Sequence, residues 1–130
     1  MKRTPIKRKT PIKAKAPMKR KAAPKKASKP KMTPIRRSAK GQPCQVRVPG
    51  ICNGNPETTV LAHLNGGGMG TKARDIHGAF CCSACHEWLD GGYVQTGTFR
   101  DTRDLYHLEG IVRTQRILIE QGLIEMRGAA

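Results

Sequence analysis

Cysteines spaced for metal binding constrain the fold of this chain more than any other feature of its sequence. Cys82 and Cys85 form a C-x-x-C pair, a spacing that lets two thiolates bind one Zn²⁺ at ~2.3 Å. Cys44 and Cys52 are separated by seven residues, and a short hairpin turning at Pro49-Gly50 would bring them together. Four thiolates complete a tetrahedral structural site, so the sequence predicts a domain held together by zinc.

The fifth cysteine, Cys81, is expected to have a different role. It precedes Cys82 on a predicted strand, so its side chain should point to the opposite face as a small buried apolar residue. The alternative, in which Cys81 and Cys85 bind the metal together, uses a less usual spacing. We expect no signal peptide, because the basic N-terminus leads into more Lys and Pro. Clustered thiols in a reducing cytoplasm bind metal more often than they pair.

The basic residues are concentrated in an N-terminal segment, residues 1–40, called the basic tail below. It contains 17 of the 25 Lys and Arg residues and no Asp or Glu, which leaves 8 basic against 9 acidic residues for the rest of the chain. Its regularly spaced prolines and like charges predict a disordered, extended segment. We therefore expect a disordered tail at 1–40 and one folded domain at 41–130. No apolar run approaches the ~18–20 residues of a membrane span.

The basic tail predicts binding to nucleic acid. Each Lys or Arg that neutralises a phosphate releases a counterion, so binding should weaken steeply as salt rises. The tail has no aromatic residue to stack on bases, so binding should be largely independent of sequence, and DNA and RNA suit it equally. An acidic protein partner or a merely solvated tail are the alternatives. The basic residues predicted to contact nucleic acid are Lys7, Lys13, Lys19, Arg36, Arg37, Lys72, Arg74 and Arg113.

Hydrophobic periodicity and turn residues predict an α+β fold after the tail. The predicted elements are a strand at 58–64, a glycine-rich loop at 65–70, a strand at 76–82, a short helix at 84–89 and an amphipathic helix at 102–121. Ser83 should cap the short helix, and Trp88 should pack into the core. His107 is expected to be a surface histidine or one whose hydrogen bonds are satisfied.

The predicted order is strand, loop, strand and helix. One histidine lies at the end of the first strand, and another lies in the first turn of the helix. Ala62-His63, the glycine-rich loop and Cys82-x-x-Cys85-His86 resemble the HNH endonuclease motif, a ββα-metal finger beside a structural zinc. The resemblance extends to the YbcO family of small prophage proteins, which is related to the RecA-dependent phage recombination enhancement nuclease, Ref. The segments that carry it are 44–58, 82–86 and 108–115, and it spans roughly residues 41–126.

The resemblance implies a role for each histidine. His63 matches the general base that activates water, and His86 matches a ligand of the catalytic Mg²⁺ or Mn²⁺. The family usually has Asp or His just before the base, as a second metal ligand, whereas this chain has Ala62. Asp75 could supply the missing carboxylate, and His77 falls near the middle position of the motif. We rank Asp75 above His77 as the ligand.

The sequence and the resemblance together predict a metal-dependent DNA endonuclease acting in phage or prophage recombination. The relation to Ref implies DNA held in a RecA filament as substrate, and a location at the nucleoid in the cytoplasm of a bacterial host. One alternative is a non-catalytic zinc module that binds DNA, which Ala62 favours. A second alternative is an RNA-associated basic protein, which the tail suits equally well.

Overall fold

A computed structural model describes residues 32–65 and 73–128 of the chain. Its elements form an α+β arrangement with a two-stranded antiparallel sheet. In chain order they are helix α1 (Pro34–Ser38), strand β1 (Val60–His63), strand β2 (Gly78–Cys81), helix α2 (Ser83–Asp90) and helix α3 (Arg100–Glu120). Single 3-10 turns lie at Pro56–Thr58, Asp75–His77 and Gly92–Val94. No described helix is both long and apolar enough to cross a membrane.

Helix α1 lies on the N-terminal side of the predicted domain boundary at residue 41. Thr33 caps this helix by accepting a hydrogen bond from Arg36 N–H at 3.2 Å, and Pro34 occupies the first helical position, where its missing N–H costs nothing. Ala39, just after the helix, is 1% exposed and packs against Leu61 and other core residues. The described residues of the segment 32–40 are therefore ordered, although we expected disorder there.

Both strands are shorter than predicted because a 3-10 turn precedes each of them. The short helix is also longer than predicted, and Ser83 is not its cap. Cys82 occupies the N-cap position, and no side chain caps the helix. The Ser83 hydroxyl instead accepts a hydrogen bond from Asn53 Nδ2 at 3.0 Å, which links α2 to the chain after Cys52.

The register of the sheet separates two groups of core residues. Leu61 pairs with Phe80 and Ala62 with Ala79, and successive side chains of a strand point to opposite faces. Leu61 and Phe80 pack with Leu118 in one cluster. Ala62 and Ala79 belong to a second cluster that contains the buried cysteines and Trp88, which packs in the core as predicted.

Helix α3 packs against β2 and fixes the strand by a side-chain hydrogen bond. The buried Thr114 hydroxyl accepts from Phe80 N–H at 2.9 Å and donates to Gly110 O at 2.8 Å. A Cβ at Gly110 would lie 2.9 Å from Val46 Cγ2 and 3.1 Å from its Cα, so glycine allows α3 to approach the segment after Cys44. The helix thus holds the sheet and the cysteine segment together.

Candidate metal centre and histidine–aspartate site

The structure brings together the four cysteines that the spacing predicted as a metal site. The sulfur atoms of Cys44, Cys52, Cys82 and Cys85, called the cysteine cluster below, all lie within 4.8 Å of one another. A tetrahedral zinc with ~2.3 Å bonds requires sulfur–sulfur separations of about 3.8 Å, and Cys52 Sγ lies 3.8 Å from Cys82 Sγ. The cluster could therefore hold a metal ion such as zinc.

A tight turn in the first cysteine segment positions two of the four thiols. Ile51 N–H and Cys52 N–H both donate to Val48 O, at 3.2 and 3.0 Å. Gly50 has a φ of +73°, a left-handed conformation that favours glycine. Gln45 N–H donates to Phe80 O at 2.7 Å, which ties this segment to β2. The predicted turn at Pro49-Gly50 is thus present.

Cys81 is fully buried and lies outside the cysteine cluster, but it does not face away from it. Because β2 ends at Cys81 and Cys82 occupies the N-cap position of α2, the strand alternation stops there. Hydrogen bonds with Cys81 and then with Cys85 lower the pKa of Cys44. Hydrogen bonds with Cys44 and Cys85, followed by burial, raise the pKa of Cys81. Burial and the neighbouring thiols therefore favour the protonated form of Cys81.

A hydrogen-bonded pair of His63 and Asp75 forms a second site. His63 closes strand β1, and its Nε2 lies 2.7 Å from Asp75 Oδ1. Asp75 Oδ1 also accepts from Arg36 Nε at 3.1 Å, and its other oxygen accepts from the Thr33 hydroxyl. Burial alone would raise the pKa of Asp75, but the hydrogen bonds from Thr33, His63 and Arg36 together lower it. The carboxylate is therefore ionised at neutral pH.

The predicted ligands of a catalytic cation lie apart in the structure. His86 pairs with Asp90 on the next turn of α2, with Nδ1 3.2 Å from Oδ2, whereas Asp75 lies beside His63. His77 is exposed in its 3-10 turn. Within residues 32–65 and 73–128, the cysteine cluster is the only group of three or more Cys, His, Asp or Glu ligand atoms that converge. The structure thus places Asp75 with His63 and not with His86.

A cavity of about 400 Å³ opens beside His63. Its polar wall includes Asp90 from α2 and, from α3, Arg100 and His107. His107 Nε2 donates to Ala62 O at 3.0 Å, and burial lowers the pKa of His107, so this histidine is neutral and satisfied as expected. Asp90, whose Oδ2 lies 3.2 Å from His86 Nδ1, lines this cavity, whereas His86 itself does not.

Sequence reasoning did not identify Asp90 or Arg100 as site residues. Asp90 follows His86 by four residues, a spacing that puts both side chains on one face of a helix. Arg100, Asp104 and His107 have the helical spacing i, i+4, i+7 and all line the cavity. This polar face of α3 was a signal in the sequence, but only the packing of α3 shows which element it faces.

The residues predicted to contact nucleic acid occupy different environments. Lys7, Lys13, Lys19 and Lys72 lie outside the described residues. Arg36 contacts Asp75. A groove of about 310 Å³ beside β1 is lined in part by Arg36, Arg37 and Lys40. Arg74 is exposed. Arg113 donates to Gln45 O at 2.9 Å and pairs with Glu109 at 2.8 Å, so it links α3 to the cysteine segment.

Comparisons with known proteins place this arrangement in a family. The family model described as "Putative nuclease YbcO" matches residues 33–123. The chain belongs to the YbcO family. It is 43% identical over 99 residues to the YbcO proteins of Escherichia coli K12 and of Enterobacteria phage 82, both carrying the name "Putative nuclease". Each alignment covers 72% of this chain and 99% of the relative.

A solved structure supports the same fold. It is described as a bacteriophage protein from Escherichia coli K-12, is 40% identical to this chain and superposes on it with a TM-score of 0.57. The match covers 68% of this chain and 100% of the solved one. The matched region begins at Thr33, the cap of α1, and includes the cysteine cluster, His63, Asp75 and His86. The YbcO family region therefore includes α1, while residues 1–32 precede it.

Proposed function

We propose that this chain is a metal-dependent endonuclease of the HNH type that hydrolyses phosphodiester bonds in DNA. The observation that carries the proposal is the histidine at the end of β1, which is hydrogen-bonded to an ionised carboxylate and borders a polar cavity. The order β1, β2, α2 beside four cysteines and the description of the relatives as nucleases agree with this chemistry.

The pairing with Asp75 defines what His63 can do. An ionised carboxylate only accepts hydrogen bonds, so His63 Nε2 carries the proton that it shares with Asp75. Nδ1 is then the nitrogen that can take a proton from water. The carboxylate stabilises the imidazolium that forms, as the aspartate does in other histidine bases. We therefore assign His63 as the base and Asp75 as its partner, in place of the metal-ligand role that the sequence suggested for Asp75.

His86 and Asp90 are the residues that would hold the catalytic cation. An imidazole and a carboxylate 3.2 Å apart suit a divalent ion such as Mg²⁺ or Mn²⁺, which binds one or two protein groups and fills its other positions with water and substrate phosphate. Such an ion would stabilise charge on the leaving oxygen. Asp90 also lines the His63 cavity, so its carboxylate borders the space where the base acts.

The charge distribution supports nucleic acid as the substrate. The basic tail supplies sequence-independent affinity for phosphates, and Arg100 brings a guanidinium to the wall of the His63 cavity. By similarity to HNH enzymes, cleavage should leave a 3′-hydroxyl and a 5′-phosphate. We further propose a role in phage or prophage recombination on RecA-bound DNA, which rests on the resemblance to Ref together with the relative in phage 82.

A second candidate function is a non-catalytic zinc module that binds DNA. Ala62 stands where HNH proteins usually have a metal ligand, and the three hydrogen bonds to Asp75 keep that carboxylate from replacing it. This function predicts salt-dependent binding without cleavage. An RNA-associated protein predicts the same binding with RNA preferred over DNA.

Cleavage of circular DNA by wild type and His63→Ala separates these functions. Single- and double-stranded circles would be incubated with Mg²⁺ or Mn²⁺, with and without RecA and ATP. Arg116→Gln, a charge change on the exposed face of α3, is the purification control and should cut like wild type. We expect cleavage that His63→Ala abolishes while binding persists. Equal cleavage by wild type and His63→Ala would indicate a contaminant, and binding without cleavage under every condition would favour the zinc module.

A further inference from the structure

We propose that Thr33 and Arg36 are positioning residues that act on His63 through Asp75. This inference rests on the proposed function of His63 as a base and extends it to the end of the basic tail. Both residues lie in the segment 1–40 that the sequence assigned to nucleic-acid binding alone. The contacts of α1 give them a second role inside the site.

The hydrogen bonds to Asp75 occupy both of its carboxylate oxygens. Oδ2 accepts from the Thr33 hydroxyl, while Oδ1 accepts from Arg36 Nε at 3.1 Å and from His63 Nε2 at 2.7 Å. The side chains of His63 and Asp75 are only 7% and 15% exposed, so water has little access to replace a lost donor. The orientation of the carboxylate toward His63 therefore depends on the two donors from α1.

The local backbone offers little else to fix Asp75. It opens a three-residue 3-10 turn, and its side chain is the only part of that turn in hydrogen-bonding contact with α1. Helix α1 is itself fixed, because Ala39 is buried against Leu61 and Phe80. Two donors on an anchored helix can hold the carboxylate in one rotamer, and the carboxylate in turn fixes the ring and the tautomer of His63.

This arrangement links the basic tail to the base through one continuous stretch of chain. Thr33 contacts Asp75 and follows closely, in sequence, the segment that contains most of the basic residues. The last residues of the tail therefore complete the site.

Substitutions of the two donors test the proposal in the full-length protein. Thr33→Val and Arg36→Gln each remove one hydrogen bond to Asp75, and Arg116→Gln removes an equivalent charge on α3. Small misplacements of catalytic groups cost up to about 100-fold in rate. We expect kcat for DNA cleavage to fall about 10- to 100-fold in the first two variants, with KM changed less than about threefold, and no change in Arg116→Gln.

The variant Arg36→Lys adds a conservative comparison. Arg36→Lys retains the positive charge and one donor but not the planar guanidinium, so it should recover part of the lost kcat. If Arg36 served only to bind phosphate, Arg36→Gln would raise KM, Arg36→Lys would restore it fully, and the uncharged change Thr33→Val would have no effect. That outcome would overturn the positioning role.

A measurement of the His63 tautomer provides a readout that does not require cleavage. Two-dimensional ¹H–¹⁵N spectra of the imidazole should show protonated Nε2 in wild type and a mixture of tautomers in Thr33→Val and Arg36→Gln. Unchanged His63 signals in both variants would overturn the inference, whatever the activity. A wild-type protein with the expected tautomer and no cleavage would instead refute the proposed function alone. Thr33→Val leaves every charge of the site in place and so keeps the test open if Arg36→Gln fails to fold.

Discussion

Replacement of Thr114 by Val would remove the hydroxyl that joins α3 to β2. In the native structure this hydroxyl accepts from Phe80 N–H at 2.9 Å and donates to Gly110 O at 2.8 Å, and the Thr114 side chain is fully buried. Val has a similar shape, so the substitution changes hydrogen bonding without opening a large cavity. The main consequence is a buried N–H on β2 with no acceptor.

The expected loss in the free energy of unfolding follows from the Phe80 N–H that is left without an acceptor. A buried donor left without a partner costs about 1–3 kcal/mol, and the methyl group that replaces the hydroxyl recovers less than about 1 kcal/mol. We therefore expect Thr114→Val to lower the free energy of unfolding by about 1–2 kcal/mol. The same contact sets the position of β2, whose last residue directly precedes Cys82 of the cysteine cluster.

Urea unfolding at a fixed zinc concentration, followed by circular dichroism, measures this loss. Thr102→Val is the matched control, because Thr102 is exposed on the same helix and should change the free energy by less than about 0.5 kcal/mol. Hydrogen exchange at the Phe80 amide should accelerate in Thr114→Val and not in the control. Equal stability of the two variants, with unchanged exchange at Phe80, would refute the argument.

Two further predictions concern the metal centre and the histidine–aspartate pair. Elemental analysis should find about one zinc per chain in wild type and in Cys81→Ser, because Cys81 lies outside the cysteine cluster. Cys82→Ser should lose the zinc. Loss of zinc in both variants would instead make Cys81 a ligand. The pKa of Asp75 is lower in the folded state than the pKa of about 3.9 that an Asp has in an unfolded chain. Ionised Asp75 therefore stabilises the folded state at pH values above the unfolded pKa, and this stabilisation is lost as the pH falls through the lower folded pKa. Urea unfolding should therefore show Asp75→Asn less stable than wild type at pH 7, with the difference shrinking below about pH 4; a difference constant across this range would contradict the assignment.

The metal centre could be predicted from the sequence because its geometry is mostly local. Cys82 and Cys85 lie one helical turn apart, so their spacing alone brings their thiols together. Cys44 and Cys52 are joined by a turn that Pro49-Gly50 marks. The long C-terminal helix was predicted within two residues at its start and one at its end, since its apolar periodicity extends over many turns.

The partner of Asp75 could not be predicted from the sequence. Its carboxylate meets groups 12, 39 and 42 residues away, in His63, Arg36 and Thr33. No local periodicity connects residues at such distances, and the composition of the tail indicated disorder up to residue 40. The order of α1 depends on burial of Ala39 against the sheet, which is a property of the packed domain.

Sequence and tertiary structure thus determined different parts of this protein. Short-range spacing determined the four thiols and the order of strand, strand and helix, because the chain geometry over a turn or a hairpin leaves few alternatives. Tertiary packing decided that Asp75 is hydrogen-bonded to His63, that Asp90 contacts His86, and that α3 supplies one wall of the cavity. Hydrogen bonds and ion pairs between distant segments form only after burial of the core has fixed the elements that carry them.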